Sequence, residues 1–228
     1  MDRRHQQKDS RSGDACVKTG RVLDEIVAAS ETADLLVLGA HGTNFLRSLI
    51  IGTTAERLLR MCTRPVLVVK NPPLAEYGRI IVPVDFSGYS ATTVEMAGRI
   101  SPNACITIVH ACRVPFEGTL QIAGASDASI RNYCEAEQQD AVKKIAGLIQ
   151  DCCGDGRRVS YMVEVGDAAR VILAKEQEFA ADLIIMGKRG QSMVEELFLG
   201  SVTSHVLAGS TCDILVIPYT EAPARSYS

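Results

Sequence analysis

The sequence has no apolar run that approaches the ~20 residues of a membrane-spanning helix. It contains no Cys-x-x-Cys pair, no Cys/His spacing of a zinc site and no Gly-x4-Gly-Lys-Ser/Thr phosphate loop. Neither sign of charge dominates: the net charge is only −3, which argues against a surface built to neutralise nucleic-acid phosphates. We therefore expect a protein that binds neither membranes nor nucleic acids.

The bulk composition is that of an ordinary globular protein, with 46% hydrophobic and 22% charged residues in a chain of 228. That length accommodates one large domain or two smaller ones. Residues 1–15 are polar and lead into no apolar signal-peptide core, so we expect a flexible tail and a cytoplasmic protein. Residues 221–228 are expected to form a second flexible tail.

Eight cysteines are spread along the chain, and several lie within or beside apolar runs. In such places a thiol behaves as a small hydrophobic side chain, and we favour reduced, structural thiols over a disulfide framework or a metal site. The adjacent pair Cys152 and Cys153 leaves a redox role open, although nothing nearby predicts a lowered pKa. The cysteines are Cys16, Cys62, Cys105, Cys112, Cys134, Cys152, Cys153 and Cys212.

An internal repeat relates residues 34–69 to residues 182–217. The glycines of the two copies fall in register, and residues 17–20 resemble residues 163–166 upstream of each copy. The aligned glycines are Gly39, Gly42 and Gly52 in the first copy and Gly187, Gly190 and Gly200 in the second.

The second copy extends back to about residue 77, whereas the first has only the polar tail before Cys16. We therefore expect a partial domain over 16–71, a proline-containing linker over 72–77 and a complete domain over 78–220. Either the chain is a natural fragment, or its start lies downstream of the true one.

In the complete domain, short runs rich in Ile and Val alternate with longer amphipathic stretches. Runs of this kind are typical of strands buried on both faces of a parallel sheet. The pattern predicts an α/β fold with a doubly wound, mostly parallel five-stranded sheet. Strands are predicted at 79–84, 105–110, 158–164, 182–187 and 213–218, helices at 89–101, 128–151, 167–179 and 200–209, and a long loop at 112–127.

A glycine-rich segment follows the predicted strand 182–187, with spacing Gly-x2-Gly-x9-Gly-Ser that ends at the start of a helix. Open α/β sheets bind ligands at the carboxyl ends of their strands, and a helix start favours a phosphate. Ser201 and Thr203 add hydroxyl donors, and Lys188 and Arg189 add positive charge. The alternative is that the glycines serve only turns and packing.

This spacing, with Pro83-Val84-Asp85-Phe86-Ser87 after the first strand, resembles the nucleotide-binding universal stress proteins. The resemblance covers 78–219, and 16–70 resembles the latter half of a second such domain. It implies a Rossmann-like fold and ATP, with Mg or Mn shared by the phosphates and no firm metal ligand from protein side chains. The implied ATP-binding residues are Pro83, Val84, Asp85, Ala111, Met186, Gly187, Gly190, Gly200, Ser201, Val202 and Thr203.

By the resemblance, Asp85 hydrogen-bonds the adenine, which suits a carboxylate at the end of a strand. The alternative is that Asp85 caps the helix beginning near Tyr89, although Ser87 is better placed for that.

The first copy keeps Gly39, Gly42, Gly52 and Thr53, but it has no counterpart of Asp85. We interpret it as an incomplete phosphate loop that binds little or no nucleotide.

The resemblance also implies antiparallel pairing of the last strands of two domains. Segments 65–69 and 214–217 can pair within one chain, or two chains can form a dimer. The edge left open by the missing half favours dimerisation or poor solubility.

The histidines give no catalytic pattern, and no Ser/His/Asp or paired-carboxylate arrangement is identifiable. His5 lies in the tail and His41 in the first glycine segment, where a solvent-exposed turn is favoured over an anion contact. His110 ends a strand near the expected site, either as a structural residue or beside a ligand. His205 has no metal-ligand spacing.

The leading hypothesis is an ATP-binding regulator of the stress response, with an unidentified protein partner and at most slow hydrolysis. One rival is an adenylyl- or phosphoryl-transferring enzyme on the same fold. The other is an interaction module that binds no nucleotide.

Overall fold

The computed structural model describes residues 14–40, 52–72, 75–112, 127–153, 158–190 and 198–218. Within these ranges helices and strands alternate, as the repeat and the apolar runs predict. The helices are α1 (Val22–Ser30), α2 (Thr53–Met61), α3 (Tyr89–Ile100), α4 (Asp127–Cys152), α5 (Ala168–Glu178) and α6 (Ser201–Gly209). The strands are β1 (Leu36–Gly39), β2 (Val66–Val69), β3 (Arg79–Pro83), β4 (Cys105–Cys112), β5 (Val159–Val165), β6 (Leu183–Gly187) and β7 (Asp213–Ile217).

One seven-stranded sheet has the order β1-β2-β7-β6-β3-β4-β5. The five strands of the second copy are parallel to each other. From β3 the chain winds first to β4 and β5 and then crosses to β6 and β7 on the other side. The predicted doubly wound α/β fold is confirmed, and its order reverses between β3 and β6, where such sheets bind ligands.

The sheet is covered by helices on both faces, which explains why its central strands carry apolar residues without alternation. On one face, α3 and α4 pack through Val94, Ala97, Ile145 and Leu148. On the other, α1, α2, α5 and α6 share a second cluster. The middle of β6 faces both layers, and Ile184 is 0% exposed.

The two copies join through an antiparallel pair, β2 with β7. Val66 lies opposite Val216, Leu67 opposite Leu215 and Val68 opposite Ile214. The predicted pairing within one chain is confirmed, and it covers an apolar strand edge. Because β1 and β2 are parallel to each other, both run opposite to the other five strands.

The predicted helices and strands of the complete domain agree with the structure to within about two residues, the usual scatter of element ends. The predicted loop 112–127 is wrong at both ends, because Cys112 belongs to β4 and Asp127 to α4. Its remainder, 113–126, lies outside the described residues, as do residues 1–13 of the first predicted tail and all of the second, 221–228. No helix in the described ranges is long and apolar enough to cross a membrane.

Residues 14–20 form no regular structure, although 17–20 align with the end of β5. The reason lies in the sheet: β5 is held by β4, and the described part of the first copy has no strand equivalent to β4. The amphipathic run that follows does form a helix, α1.

Candidate functional site

A cavity of about 500 Å³ lies at the carboxyl ends of β3, β4 and β6, where the strand order reverses. Its volume is within the range of small-molecule sites. All eleven residues expected at an ATP site line it: Pro83, Val84, Asp85, Ala111, Met186, Gly187, Gly190, Gly200, Ser201, Val202 and Thr203. The other lining residues are Tyr89, Ser90, Thr93, Val109, His110, Cys112, Glu137, Ala168, Ile172 and Arg189.

The turn after β3 is built around the carboxylate of Asp85. Its Oδ1 accepts a hydrogen bond from the Ser87 amide at 3.0 Å and another from the Ser87 hydroxyl at 2.6 Å. Between them, Phe86 has φ of +60°, a left-handed conformation that is uncommon outside glycine. The turn therefore ends β3 abruptly and directs the chain into α3.

Neither Asp85 nor Ser87 caps the start of α3, so the alternative interpretation of Asp85 as a helix cap is wrong. The residue at the N-cap position is Gly88, which has no side chain to donate or accept. The Ser87 hydroxyl is already committed to Asp85, and the Ser87 carbonyl accepts from the Ser90 amide instead. Asp85 shapes the turn before the helix.

The glycine segment after β6 approaches this turn closely. A Cβ added to Gly190 would lie 2.8 Å from Oδ2 of Asp85, a separation that real Cβ atoms do not show. A Cβ added to Gly187 would lie 3.3 Å from Cβ of Tyr89. Glycine at these positions lets two backbone segments meet along one side of the cavity.

Helix α6 begins at the cavity and points its first turn into it. The amides of Ser201, Val202 and Thr203 have no acceptor within the helix, because they belong to its first turn. The helix dipole adds partial positive charge at the same end. These amides provide the groups that an anion requires.

Two donors at this helix start are used within the fold. The hydroxyl of Thr203 donates to the Gly187 carbonyl at 3.0 Å, so its hydrogen is used inside the fold. The Gly200 amide donates to the Lys188 carbonyl at 2.9 Å. Ser201 is exposed, and its hydroxyl is the better candidate donor toward a ligand.

The two cations of the glycine segment take different directions. Arg189 is 8% exposed and lines the cavity. Lys188 is 4% exposed and is not among the lining residues. Its ammonium donates to the carbonyls of Arg60 at 2.5 Å and Cys62 at 3.5 Å, at the end of α2 in the first copy.

The first copy reproduces the ends of the glycine segment. Gly39 ends β1, and Gly52 precedes α2, which begins at Thr53. The Gly52 amide faces the Ala40 carbonyl at 3.5 Å, as the Gly200 amide faces that of Lys188. Gly42 and His41 lie outside the described residues, and none of the described residues of this segment lines the cavity.

The chain matches the family described as "Universal stress protein family" over residues 5–70 and 76–218, so both copies are covered. The chain belongs to the universal stress protein family. The family expected from the glycine spacing is thereby confirmed.

Individual relatives agree with this assignment. Universal stress protein Sll1388 from Synechocystis is 24% identical over 152 residues, which cover 63% of this chain and 99% of that protein. Universal stress protein E from Photorhabdus laumondii is 26% identical over 208 residues, which cover 86% of this chain and 64% of that protein. The chain thus spans less than two thirds of this longer relative.

A solved universal stress protein from Archaeoglobus fulgidus has a TM-score of 0.57 to this chain at 22% identity. The likeness covers 87% of this chain and 66% of that one. At this identity the comparison shows the fold alone.

Sequence reasoning about this universal stress protein missed several lining residues. Glu137 belongs to α4 and carries no local motif, and Ala168 and Ile172 come from α5. His110 was left between a structural role and a place beside a ligand. Its Nδ1 donates to the Val84 carbonyl at 2.8 Å, which is a structural role, and the side chain also lines the cavity. His205 is exposed on α6 and does not line the cavity.

The three buried thiols behave as small hydrophobic groups. Burial raises the pKa of Cys62, Cys112 and Cys212, which reduces their thiolate character. This favours a structural role over a redox role for these three cysteines. Free thiols occur at Cys16, Cys62, Cys105, Cys112, Cys134 and Cys212.

Proposed function

We propose that this universal stress protein binds ATP in the cavity beyond β3 and β6 and acts as a nucleotide-dependent regulator in the stress response, with at most slow hydrolysis. One observation carries the proposal. The turn at Asp85, the glycine segment at Gly190 and the first turn of α6 converge on a single cavity of about 500 Å³. In such a cavity the end near Asp85 is suited to a base, and the end at the start of α6 is suited to an anion.

The base would lie against Val84 and Ala111, at the ends of two neighbouring strands. A carboxylate is an acceptor, so Asp85 is suited to an exocyclic amine such as that of adenine and unsuited to a carbonyl oxygen in the same place. Pro83 and Met186 supply apolar surface beside it.

The phosphates would lie at the start of α6. Three amides, the helix dipole and the Ser201 hydroxyl favour negative charge there, and Arg189 lines the same cavity. Among the described residues, no group of three or more His, Cys, Asp or Glu side chains could hold a metal. We therefore expect a divalent cation, Mg or Mn, to be held mainly by the phosphates.

We propose a regulator rather than an enzyme because no Ser/His/Asp or paired-carboxylate arrangement is identifiable in the sequence. Two titratable groups of the cavity also have structural roles. Asp85 holds the Ser87 amide, and His110 holds the Val84 carbonyl. The free thiols suit a reducing compartment, and we place the protein in the cytoplasm. Its protein partner is unidentified.

The test is isothermal titration of the purified chain with ATP and Mg, alongside GTP. Wild-type protein should bind ATP, and Gly190→Ala combined with Gly200→Val should abolish binding. Gly52→Ala is the matched control, because a Cβ there meets nothing closer than 4.0 Å. If the wild type does not bind ATP, the proposal is refuted in favour of an interaction module that binds no nucleotide. Rapid product formation from ATP and a second substrate would instead support an adenylyl- or phosphoryl-transferring enzyme.

A further inference from the structure

His110 contacts the residues on both sides of Asp85 in the chain. Because a carbonyl oxygen only accepts hydrogen bonds, Nδ1 of His110 carries the proton that it donates to Val84 at 2.8 Å. The His110 ring also packs against Phe86, with centroids 4.5 Å apart and planes inclined by 40°. One side chain from β4 thus touches the residue before Asp85 and the residue after it.

His110 contacts Phe86, the residue whose left-handed backbone is strained in this turn. A left-handed backbone in a non-glycine residue is strained and persists only where its surroundings hold it. The rings of His110 and Phe86 are in contact, and the Lys144 ammonium lies over the Phe86 ring, 5.6 Å from its centroid. These contacts stabilise a backbone that Phe86 would not adopt alone.

The direction of the Asp85 carboxylate depends on that backbone. Its Oδ1 accepts from the Ser87 amide across Phe86, while Oδ2 lies on the side of Gly190. If Phe86 relaxed to a negative φ, the Ser87 amide would turn away from Oδ1. The carboxylate would then lose this backbone hydrogen bond, and the hydroxyls of Ser87 and Ser90 would remain to orient it in the cavity.

We propose that His110 is the positioning residue of Asp85 and thereby fixes which base the cavity prefers. The proposal rests on the proposed function for its link to ATP, but the positioning itself is a property of the unliganded protein. The competing possibility is that His110 contacts the ligand directly, independently of Asp85.

The positioning is tested without ligand, by amide hydrogen exchange of Ser87 measured by NMR. His110→Phe keeps an aromatic ring beside Phe86 but removes the donor to Val84, and exchange at Ser87 should rise about tenfold. His110→Asn keeps an N–H near the position of Nδ1 but loses the ring beside Phe86, so it should restore only part of the protection. His205→Phe, the same substitution at an exposed site on α6, should leave Ser87 unchanged.

Unchanged exchange at Ser87 in His110→Phe would overturn the positioning, whether or not ATP binds. Should that variant fail to fold, Phe86→Ala removes the ring contact from the other side and is expected to raise exchange at the same amide. Wild-type exchange in Phe86→Ala would count equally against the proposal.

The link to base preference is tested by a double-mutant cycle on ATP affinity. If His110 acts through Asp85, His110→Phe should weaken ATP binding about tenfold in the wild type and less than twofold in the Asp85→Asn background. It should also lower the preference for ATP over GTP. Equal losses in both backgrounds show a direct contact and refute the link. If the wild type does not bind ATP, the proposed function and the link between His110 and base preference are both refuted. The positioning of Asp85 by His110 is then judged from the exchange data alone.

Discussion

Oδ2 of Asp85 lies only 2.8 Å from the position that a Cβ on Gly190 would occupy. This contact joins the turn after β3 to the glycine segment after β6, two parts of the chain that are neighbours in the sheet but about a hundred residues apart in sequence. An added methyl group must therefore displace the Asp85 carboxylate or the backbone of one of the two segments.

We expect Gly190→Ala to weaken ATP binding by about tenfold or more, because the new methyl group pushes the Asp85 carboxylate out of position. Titration calorimetry measures the change. The control Gly52→Ala adds a methyl group in open space at the helix start of the first copy, and this variant should bind ATP as tightly as the wild type does. Wild-type affinity in Gly190→Ala would show that the carboxylate adjusts freely and that its position is unimportant.

We expect one ATP per chain. The segment containing Gly39 and Gly52 has helix and strand ends like those of the cavity, but no strands equivalent to β3 and β4 accompany it in the described structure. Phosphate contacts without a base pocket give weak binding. A stoichiometry near two, from calorimetry at known protein concentration, would contradict this account.

Two lysines cap helices across the junction of the copies, and removing either should destabilise the protein. Lys188 donates to the carbonyls of Arg60 and Cys62 at the end of α2. Lys70 donates to those of Leu207 at 2.9 Å and Ser210 at 2.6 Å, at the end of α6. A cation at a helix C-terminus satisfies orphan carbonyls and complements the dipole.

Lys188→Met and Lys70→Met should each lower the free energy of unfolding by about 1–3 kcal/mol, since buried carbonyls lose their donor. Urea denaturation gives the value, with the m-value as a check on two-state behaviour. Lys143→Met, on the exposed face of α4, should stay within about 0.5 kcal/mol of the wild type. Equal stability of all three variants would mean that water satisfies the carbonyls.

Stability should fall in alkali because of Cys212. Burial raises the pKa of this thiol from 9.0 to about 12, with the charges of Lys70, Glu176 and Asp213 nearby. The unfolded chain releases the proton first, so the contribution of Cys212 is complete below pH 9.0 and declines as the pH rises toward 12.

Across that range the unfolding free energy of the wild type should fall more steeply than that of Cys212→Ala, by up to about 1.4 kcal/mol per pH unit. The comparison uses denaturant unfolding at a series of pH values. Cys105→Ala removes an exposed thiol and should keep the wild-type slope. Parallel curves for wild type and Cys212→Ala would refute the prediction.

The fold was predictable because its signals are local. Apolar runs without alternation mark buried parallel strands, and glycines in register mark the repeat, so the strands β3 to β7 followed from the sequence. The last-strand pairing and the eleven residues that line the cavity were implied by the resemblance to the family.

Side-chain directions were not predictable, because their partners are distant in sequence. Lys188 was expected to place charge at the glycine segment, yet its ammonium meets a carbonyl 128 residues earlier. Thr203 was expected to donate to a ligand and donates to Gly187 instead. Glu137 lines the cavity from the middle of a helix whose sequence has no pattern to mark it.

The antiparallel junction of β2 and β7 makes the two rims of the sheet different. Since β1 and β2 run against the other strands, Gly39 and the start of α2 lie at the rim of the sheet opposite the cavity. A protein that docks over one rim would leave the other accessible. Recognition of this chain by a partner and access of a nucleotide to its cavity need not compete for the same surface.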